Sequence, residues 1–100
     1  MPKVQPAPLT RTLSAVAAEI LGDYQRRGKP VYFAAKPYLD SMRYIGTSNL
    51  GASYYDDTAD ELVIRLLGNL STWRGEVATR VKGELRAALA HHQSTTRRTR

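Results

Sequence analysis

Apolar residues recur three and four positions apart in several stretches of the chain, and three of these stretches are followed by a glycine. Such spacing places the apolar side chains along one face of a helix. The chain has 100 residues, which is the length of one domain. We therefore expect an all-α fold: a small three- to four-helix bundle over residues 10–91, with a C-terminal helical hairpin and flexible tails.

The first helix is predicted over about residues 10–27. Thr10 or Thr12 can cap its start, because a threonine hydroxyl accepts a hydrogen bond from a free backbone amide. Gly28 ends it, since glycine readily adopts the left-handed conformation that follows many helices. The apolar face of this helix is formed by Leu13, Val16, Ala17, Ile20, Leu21 and Tyr24.

A second helical segment is predicted over about residues 30–45, and Pro37 interrupts it. An internal proline removes a backbone hydrogen bond and clashes with the preceding turn, at a cost of about 3 kcal/mol. We expect either a kink near residues 33–34 or a short turn followed by a helix over residues 37–45. A strand over residues 31–34 is the alternative, and it is disfavoured because we find no second strand to pair with it.

A loop is predicted over residues 46–56, and the third helix then has the clearest start in the chain. Its first residues, Thr58-Ala59-Asp60-Glu61, match a capping box, and its end is expected near Gly68-Asn69. Acidic residues are common at helix starts, and no EF-hand pattern surrounds these. We therefore interpret the carboxylate cluster as helix-capping residues rather than as a cation site; its members are Asp56, Asp57, Asp60 and Glu61.

The fourth helix is predicted from just after Ser71 or Thr72 to about His91, with Trp73 extending its apolar stripe. The short connection to the third helix predicts that the two helices pack as a hairpin. A glycine in a first helical turn costs stability. At Gly75 we therefore expect a close backbone approach, either by another helix or by a partner.

Both ends of the chain are predicted to be flexible. Residues 1–9 contain three prolines, which favours an extended arm over a helix. Residues 92–100 contain no apolar side chain, so burial cannot offset the entropy of ordering them. We expect this segment to be a basic, disordered tail.

Three segments of the chain resemble known sequences. They read P-Y-L-D-S-M from residue 37, D-T-A-D-E-L-V-I-R-L-L-G-N-L from residue 57, and S-T-W-R-G-E-V-A-T-R-V-K-G-E-L from residue 71. Over these residues the chain resembles a group of small uncharacterised proteins encoded by actinobacteria and their phages. The resemblance implies an actinobacterial or phage setting, and it assigns no activity and no functional residue.

Several function classes are disfavoured by the residues present. The chain has no cysteine, which excludes disulfides, thiolate metal sites and cysteine nucleophiles. His91 and His92 would point about 100° apart on a helix, so they do not converge on one metal ion. Phosphate-binding loops, dinucleotide fingerprints and nucleophile elbows do not occur in the sequence. We expect no enzymatic activity, no metal and no cofactor.

The sequence favours a cytoplasmic protein with no membrane partner. No apolar run approaches the roughly 20 residues that a membrane span needs. No apolar stretch of signal-peptide length occurs near the start of the chain. The expected compartment is the cytoplasm of a bacterium, or of the host if the protein is encoded by a phage.

The net charge is +6, from 15 Lys and Arg residues against 9 Asp and Glu residues. A basic surface favours contact with a polyanion, and the candidate phosphate contacts are Arg80, Lys82, Arg86, Arg97, Arg98 and Arg100. We expect a non-enzymatic accessory or regulatory protein that binds nucleic acid with little sequence specificity and a strong dependence on salt. A solvated helix face is the alternative interpretation of the same residues. A helix-turn-helix is not expected, because the Trp73-Arg74-Gly75 turn does not match its tight turn.

Docking on a host protein is the alternative function. Its interface would be formed by Phe33, Tyr54, Tyr55, Trp73 and Arg74. Trp73 also fits a core position at the base of the helical hairpin, where a partner could not reach it. Association into a homodimer is a further alternative, since a small bundle often leaves apolar surface uncovered.

Aromatic side chains also stack on the bases of single-stranded nucleic acid. Tyr32, Phe33 and Tyr44 are the aromatic residues that we expect to be exposed. Tyr24 and Tyr38 lie at helical spacing with apolar residues, so we expect them at the edge of the core.

Overall fold

The computed structural model describes residues 5–98, and it describes side chains as far as residue 94. The helices are α1 (Leu13–Arg26), α2 (Lys36–Met42), α3 (Ala59–Gly68) and α4 (Glu76–Arg98). The strands are β1 (Ser53–Tyr54) and β2 (Asp57–Thr58). The described chain is therefore mostly helical, as the apolar spacing predicted, with one small sheet that was not expected.

The first helix, α1, follows its predicted bounds closely. Thr12 precedes the first turn, and its hydroxyl accepts a hydrogen bond from the Ala15 amide at 3.1 Å. The helix ends beside Gly28, whose φ of +66° is a left-handed conformation that glycine adopts without strain. The predicted cap at Thr12 and the predicted stop at Gly28 are both confirmed.

The second helical segment divides into a turn and a short helix, which is one of the two predicted alternatives. The Tyr32 carbonyl accepts hydrogen bonds from the amides of Ala35 at 2.9 Å and Lys36 at 3.2 Å, which closes a turn before α2. Pro37 lies in the first turn of α2, where a missing amide proton removes no helical hydrogen bond. The alternative strand over residues 31–34 does not form.

A β-hairpin replaces part of the loop predicted over residues 46–56. β1 and β2 pair antiparallel, with Tyr54 opposite Asp57. Tyr55 in the connecting turn has a φ of +57°, which is uncommon for a residue other than glycine. The loop prediction is wrong at these residues, because strands of two residues are too short to show an alternating pattern.

The bounds of α3 agree with the prediction, whereas its capping bonds differ from those of a capping box. Thr58 is the cap residue, and its side chain makes no capping hydrogen bond to the backbone. The Thr58 hydroxyl instead donates to the Glu61 carboxylate at 2.8 Å and also contacts Asp60. The acidic side chains nevertheless lie at the helix N-terminus, where the helix dipole favours negative charge.

The fourth helix, α4, begins later and ends later than predicted. Gly75 has a φ of +115°, which breaks the helical path, so the helix begins at Glu76 and Trp73 lies before it. The helix continues to Arg98, so its last turns lie within the segment that was expected to be a tail. Extension of an existing helix fixes few dihedral angles per hydrogen bond, so it is far less costly than nucleation.

The N-terminal arm packs on the helices. The Ala7 amide donates to the Ala87 carbonyl of α4 at 3.1 Å, and the Leu9 side chain is buried. The expectation of a flexible arm is therefore wrong for residues 7–9. The part of that expectation that concerns residues 1–4 lies outside the described residues.

One apolar core joins all four helices. Its largest buried side chains include Leu13, Ile20, Leu39, Met42, Leu66, Leu70, Trp73 and Leu85. Burying an aliphatic side chain of this size contributes about 1.5–3 kcal/mol relative to leaving it exposed, so this core supplies much of the driving force for folding. Among the charged residues that the structure describes, Asp23 alone is buried.

Replacing Gly75 by alanine is expected to destabilise the fold by about 1–3 kcal/mol, because alanine is strained at a φ of +115°. The new Cβ would also clash with Nη2 of Arg27, so this guanidinium would have to move. Gly83→Ala in α4 is the matched control. Gly83 has open space around it, and alanine there should stabilise the helix by up to about 1 kcal/mol.

Urea denaturation measures both changes, with the fluorescence of Trp73, the one tryptophan of the chain, as the readout. If the two variants had the same free energy of unfolding, the turn before α4 would not require a glycine at position 75.

Candidate nucleic-acid interface

Asp23 of α1 is a buried carboxylate that holds the turn before α4 in place. Its Oδ2 accepts a hydrogen bond from Nε1 of Trp73 at 2.8 Å. Nε of Arg27 lies 3.2 Å from the same oxygen, and Arg26 forms an ion pair with Oδ1. The Trp73 hydrogen bond lowers the pKa of Asp23 and the two arginines lower it further, although burial acts to raise it. Asp23 is therefore ionised at neutral pH.

Trp73 lies in the core, with 2% of its surface exposed. Its ring stacks on Tyr24, with the ring centroids 5.9 Å apart and the planes at 21°. The buried Tyr24 hydroxyl has no hydrogen-bond partner among the described residues, so Tyr24 contributes packing alone. Trp73 therefore closes the core, and in this conformation a partner cannot use it as an interface anchor.

The turn formed by residues 73–75 is held from two sides. Nζ of Lys82 donates to the Trp73 carbonyl at 2.6 Å and lies 6.0 Å from the centroid of the indole ring. The Arg27 guanidinium occupies the space that a side chain at Gly75 would need. The close approach expected at Gly75 is thus made by the side chain of Arg27, the residue that follows α1, rather than by the backbone of another helix.

Arg74, Lys82 and Arg86 form a cationic cluster beside this turn. Lys82 and Arg86 are four residues apart on α4, so they lie on adjacent turns of one helix face. The Lys82 ammonium donates to the Trp73 carbonyl. Arg74 is the next residue along the chain, so it lies close to Lys82. Burial lowers the pKa of Lys82, and the charges of Arg86 and Arg74 lower it further.

The charges of the cationic cluster are not neutralised within the described part of the chain. No carboxylate of residues 5–94 forms an ion pair with Arg74, Lys82 or Arg86. Arg74 and Arg86 are exposed, whereas Lys82 is half-buried against Trp73. The cluster therefore presents two accessible guanidinium groups next to a fixed ammonium.

Arg80, a predicted phosphate contact, takes part in a separate network. It forms an ion pair with Glu19 of α1. Arg11 connects Glu19, at 2.6 Å, with Glu84 of α4, at 2.7 Å. Burial acts to raise the pKa of Glu19, but Arg80 and Arg11 lower it overall. The charge of Arg80 is therefore balanced within the protein, and this residue does not join the cationic cluster.

The remaining predicted phosphate contacts lie at the end of the chain. The backbone of α4 includes Arg97 and Arg98 in its last turn. Arg97 follows Arg86 after about three helical turns, so both positions lie on one side of α4. The side chains of Arg97 and Arg98 lie outside the described residues, as does Arg100.

The predicted interface residues differ in exposure. Phe33 exposes 78% of its surface and Tyr55 exposes 89%, and Arg74 is also exposed. Tyr54 is half-buried against the core, and its ring contacts Tyr55 edge to face with the centroids 4.8 Å apart. Three of the five residues are thus accessible to a partner, and Tyr54 and Trp73 are not.

A cavity of about 240 Å³ lies between the N-terminal arm, the loop after α2 and the end of α4. Its walls include Leu9, Asn49, His91 and His92. Nε2 of His92 lies 3.7 Å from a carboxylate oxygen of Asp60. Within the described residues, no group of three histidine or acidic side chains is placed to hold a metal ion. None of the described helices combines the length and the apolar character that a membrane crossing requires.

Comparisons of the chain with protein-family models, with curated proteins and with solved structures found no match. The resemblance to actinobacterial and phage proteins therefore stays a prediction. Function has to be inferred from the geometry and the charge of the site.

Asp23 was not among the site residues predicted from the sequence. This residue follows Ile20 by three positions and precedes Tyr24, so it lies on the apolar face of α1, where an unpaired carboxylate would be costly. Arginines follow it three and four positions later, at the spacing of helical ion pairs. A charged residue on a core face with such neighbours indicates a buried ion pair, and this pattern was visible in the sequence.

Asp23→Asn is expected to lower the free energy of unfolding at neutral pH by about 1–3 kcal/mol, because the arginines and the indole lose a charged partner. The pKa of Asp23 is lower in the folded state than the unfolded value of about 3.9. The carboxylate therefore contributes stability above that pH, and the contribution is lost as the pH falls through the folded-state pKa. The stability difference between wild type and Asp23→Asn should accordingly shrink below about pH 4.

Urea denaturation at several pH values, followed by Trp73 fluorescence, measures this difference. Asp40→Asn is the control, since it removes a half-exposed carboxylate that pairs with Lys36 and should cost no more than about 1 kcal/mol. If the difference in the free energy of unfolding between wild type and Asp23→Asn stayed constant down to about pH 2, the charge of Asp23 would not stabilise the turn.

Proposed function

We propose that the protein is a non-enzymatic accessory protein that binds nucleic acid through the cationic cluster of Arg74, Lys82 and Arg86. The observation that carries this proposal is that three like charges lie together with no ion-pairing carboxylate among the described residues. Such charges repel one another, and the phosphates of a nucleic acid would offset that repulsion. In this proposal the helices form a small bundle that holds the cluster in place.

One member of the cationic cluster, Lys82, has a fixed side chain, which favours binding. Lys82 is held by the Trp73 carbonyl, and Arg74 directly follows the buried Trp73. A side chain that is already positioned loses less conformational entropy when it contacts a phosphate. Residues 97–100 include three more arginines, and we expect them to add phosphate contacts. Arg80 is omitted from the proposed surface, since Glu19 neutralises it.

The acidic hairpin restricts where a polyanion can bind. Its carboxylates lie in the turn after β1, in β2 and at the start of α3: Asp56, Asp57, Asp60 and Glu61. Arg65 forms ion pairs with two of them, Asp57 at 3.0 Å and Glu61 at 3.7 Å. This region repels phosphate, so the net charge of +6 acts through the rest of the surface.

Arg74→Gln and Arg86→Gln are each expected to weaken the binding of a short DNA duplex and to reduce the slope of log affinity against log salt by about one. Arg65→Gln is the matched control. It removes the same charge, but from an arginine that Asp57 and Glu61 already neutralise. Lys82 is left unchanged because it also holds the turn.

Fluorescence anisotropy of a labelled duplex at about 50 mM and about 200 mM salt measures affinity and slope. Absence of binding at the lower salt concentration would refute the proposed function. An equal loss of duplex affinity in Arg65→Gln would show that the net charge alone, rather than the cationic cluster, is responsible for binding.

Interaction with a protein is a second candidate function, and the exposure and backbone conformation of Tyr55 favour it. Its ring is 89% exposed at a turn where φ is +57°. A non-glycine residue in this conformation costs about 1–3 kcal/mol, and such strain is concentrated at functional sites. The partner would be a host protein or a second copy of the chain.

Tyr55→Gly is expected to stabilise the fold, because glycine adopts a positive φ without strain. If the partner is a second copy, the same change should convert a dimer into a monomer. Analytical ultracentrifugation of both forms is the measurement. A wild type that sediments as a monomer at high concentration would eliminate the second copy as the partner.

A further inference from the structure

A second basic surface surrounds α2, and it differs from the cationic cluster in carrying aromatic rings. Three aromatic side chains are exposed there: Tyr32 at 44%, Phe33 at 78% and Tyr44 at 74%. Three exposed cations lie in the same segment: Lys29, Lys36 and Arg43. We refer to these six residues as the α2 surface.

The aromatic rings lie at both ends of α2. Tyr32 and Phe33 precede the helix and contact each other edge to face, with the ring centroids 4.9 Å apart. Tyr44 follows the helix, and its amide donates to the Ser41 carbonyl at 3.1 Å. Since α2 has seven residues, its axis is about 10 Å long, so the two groups of rings are attached to the backbone at opposite ends of a helix of that length.

Two of the three cations, Lys36 and Arg43, lie between Phe33 and Tyr44 in the sequence, and Lys29 precedes the rings. Lys36 and Arg43 are seven positions apart, which is about 20° from exact alignment on one side of the helix. Asp40 is the only carboxylate of this segment, and it pairs with Lys36 at 3.0 Å. Within the described residues, no carboxylate forms an ion pair with Lys29 or Arg43. The α2 surface is therefore positively charged as well as aromatic.

We infer that the α2 surface binds single-stranded nucleic acid, with bases stacked on Phe33 and Tyr44 and phosphates contacting Lys29 and Arg43, since Asp40 already neutralises Lys36. This inference rests on the proposed function and specifies the class of nucleic acid. A single strand offers free base faces to an aromatic ring, whereas the bases of a duplex are already stacked on one another. An uncharged apolar partner would not use the cations that separate the rings.

The position of the α2 surface connects it with the cationic cluster. Lys29 is two residues after Arg27, and the Arg27 guanidinium lies against Gly75, the residue after Arg74. The α2 surface therefore begins beside the turn that carries the cluster.

The hairpin ring of Tyr55 supplies a matched control. It is more exposed than Phe33 or Tyr44, at 89%, but it lies among the carboxylates of Asp56 and Asp57. If exposure of an aromatic ring were sufficient for stacking on bases, Tyr55 would contribute as much as the rings of the α2 surface. If charge complementarity is also needed, Tyr55 contributes little.

The test measures binding of labelled oligonucleotides of about fifteen nucleotides, namely oligo-dT, oligo-rU and a DNA duplex of the same length, by fluorescence anisotropy at about 50 mM salt. The wild type is expected to bind at least one single strand more tightly than the duplex. Phe33→Ala and Tyr44→Ala should each weaken single-strand binding by roughly 5- to 100-fold and duplex binding by less than about 2-fold. Tyr44→Phe keeps the ring face and Tyr55→Ala leaves the α2 surface intact, so both should bind as the wild type does.

Each other outcome would overturn the inference. Equal affinity for single strand and duplex, or unchanged single-strand binding in Phe33→Ala and Tyr44→Ala, would sink it while the proposed function stands. An equal loss in Tyr55→Ala would also reject it. Absence of binding to every oligonucleotide would refute the proposed function as well.

Two further measurements complete the test. Trp73 fluorescence and circular dichroism show whether each variant is folded. We expect all of them to fold, because Phe33 and Tyr44 lie outside the core. The oligo-dT and oligo-rU arms distinguish DNA from RNA as the source of the single strand. A wild type that sediments as a dimer and a Phe33→Ala variant that sediments as a monomer would instead assign the α2 surface to contact between copies.

Discussion

The hydrogen bond from the Trp73 indole to the buried Asp23 carboxylate determines how α1 meets the turn before α4. A buried charge is costly unless it is paired, and here Arg26, Arg27 and the indole together satisfy it. The same arrangement places the Arg27 guanidinium against Gly75 and leaves the Trp73 carbonyl for Lys82. One carboxylate therefore fixes the turn that carries Arg74 and that Lys82 contacts.

Features that depend on local chemistry were predictable from the sequence. The cap at Thr12, the stop at Gly28 and the effect of Pro37 each follow from a few neighbouring residues, and the structure agrees with them. Features that depend on contacts between distant residues were not predictable. The arm is held by a bond from Ala7 to Ala87, and the hairpin has strands too short to show a pattern.

The candidate site shows the same division. Helical spacing indicated which cations lie away from the apolar stripe of α4, but it could not indicate which of them are neutralised. Arg80 is paired with Glu19, which lies far away in sequence, and Lys82 holds a backbone carbonyl. Three cations lie in residues 80–86 of α4. Among them, Arg86 alone is exposed and forms no ion pair with the described residues. Asp23 was visible as a carboxylate on an apolar face, and its partner Trp73, fifty positions later, was not.

The stability of the turn and the charge of the cationic cluster are physically coupled. Lys82 holds the Trp73 carbonyl while the charges of Arg74 and Arg86 disfavour its ionised form. A bound polyanion would offset that repulsion and so strengthen the contact that fixes the turn. By linkage, a ligand that binds the folded state preferentially also stabilises it. The free protein therefore carries an electrostatic cost at the residues that a phosphate would contact in the proposed function.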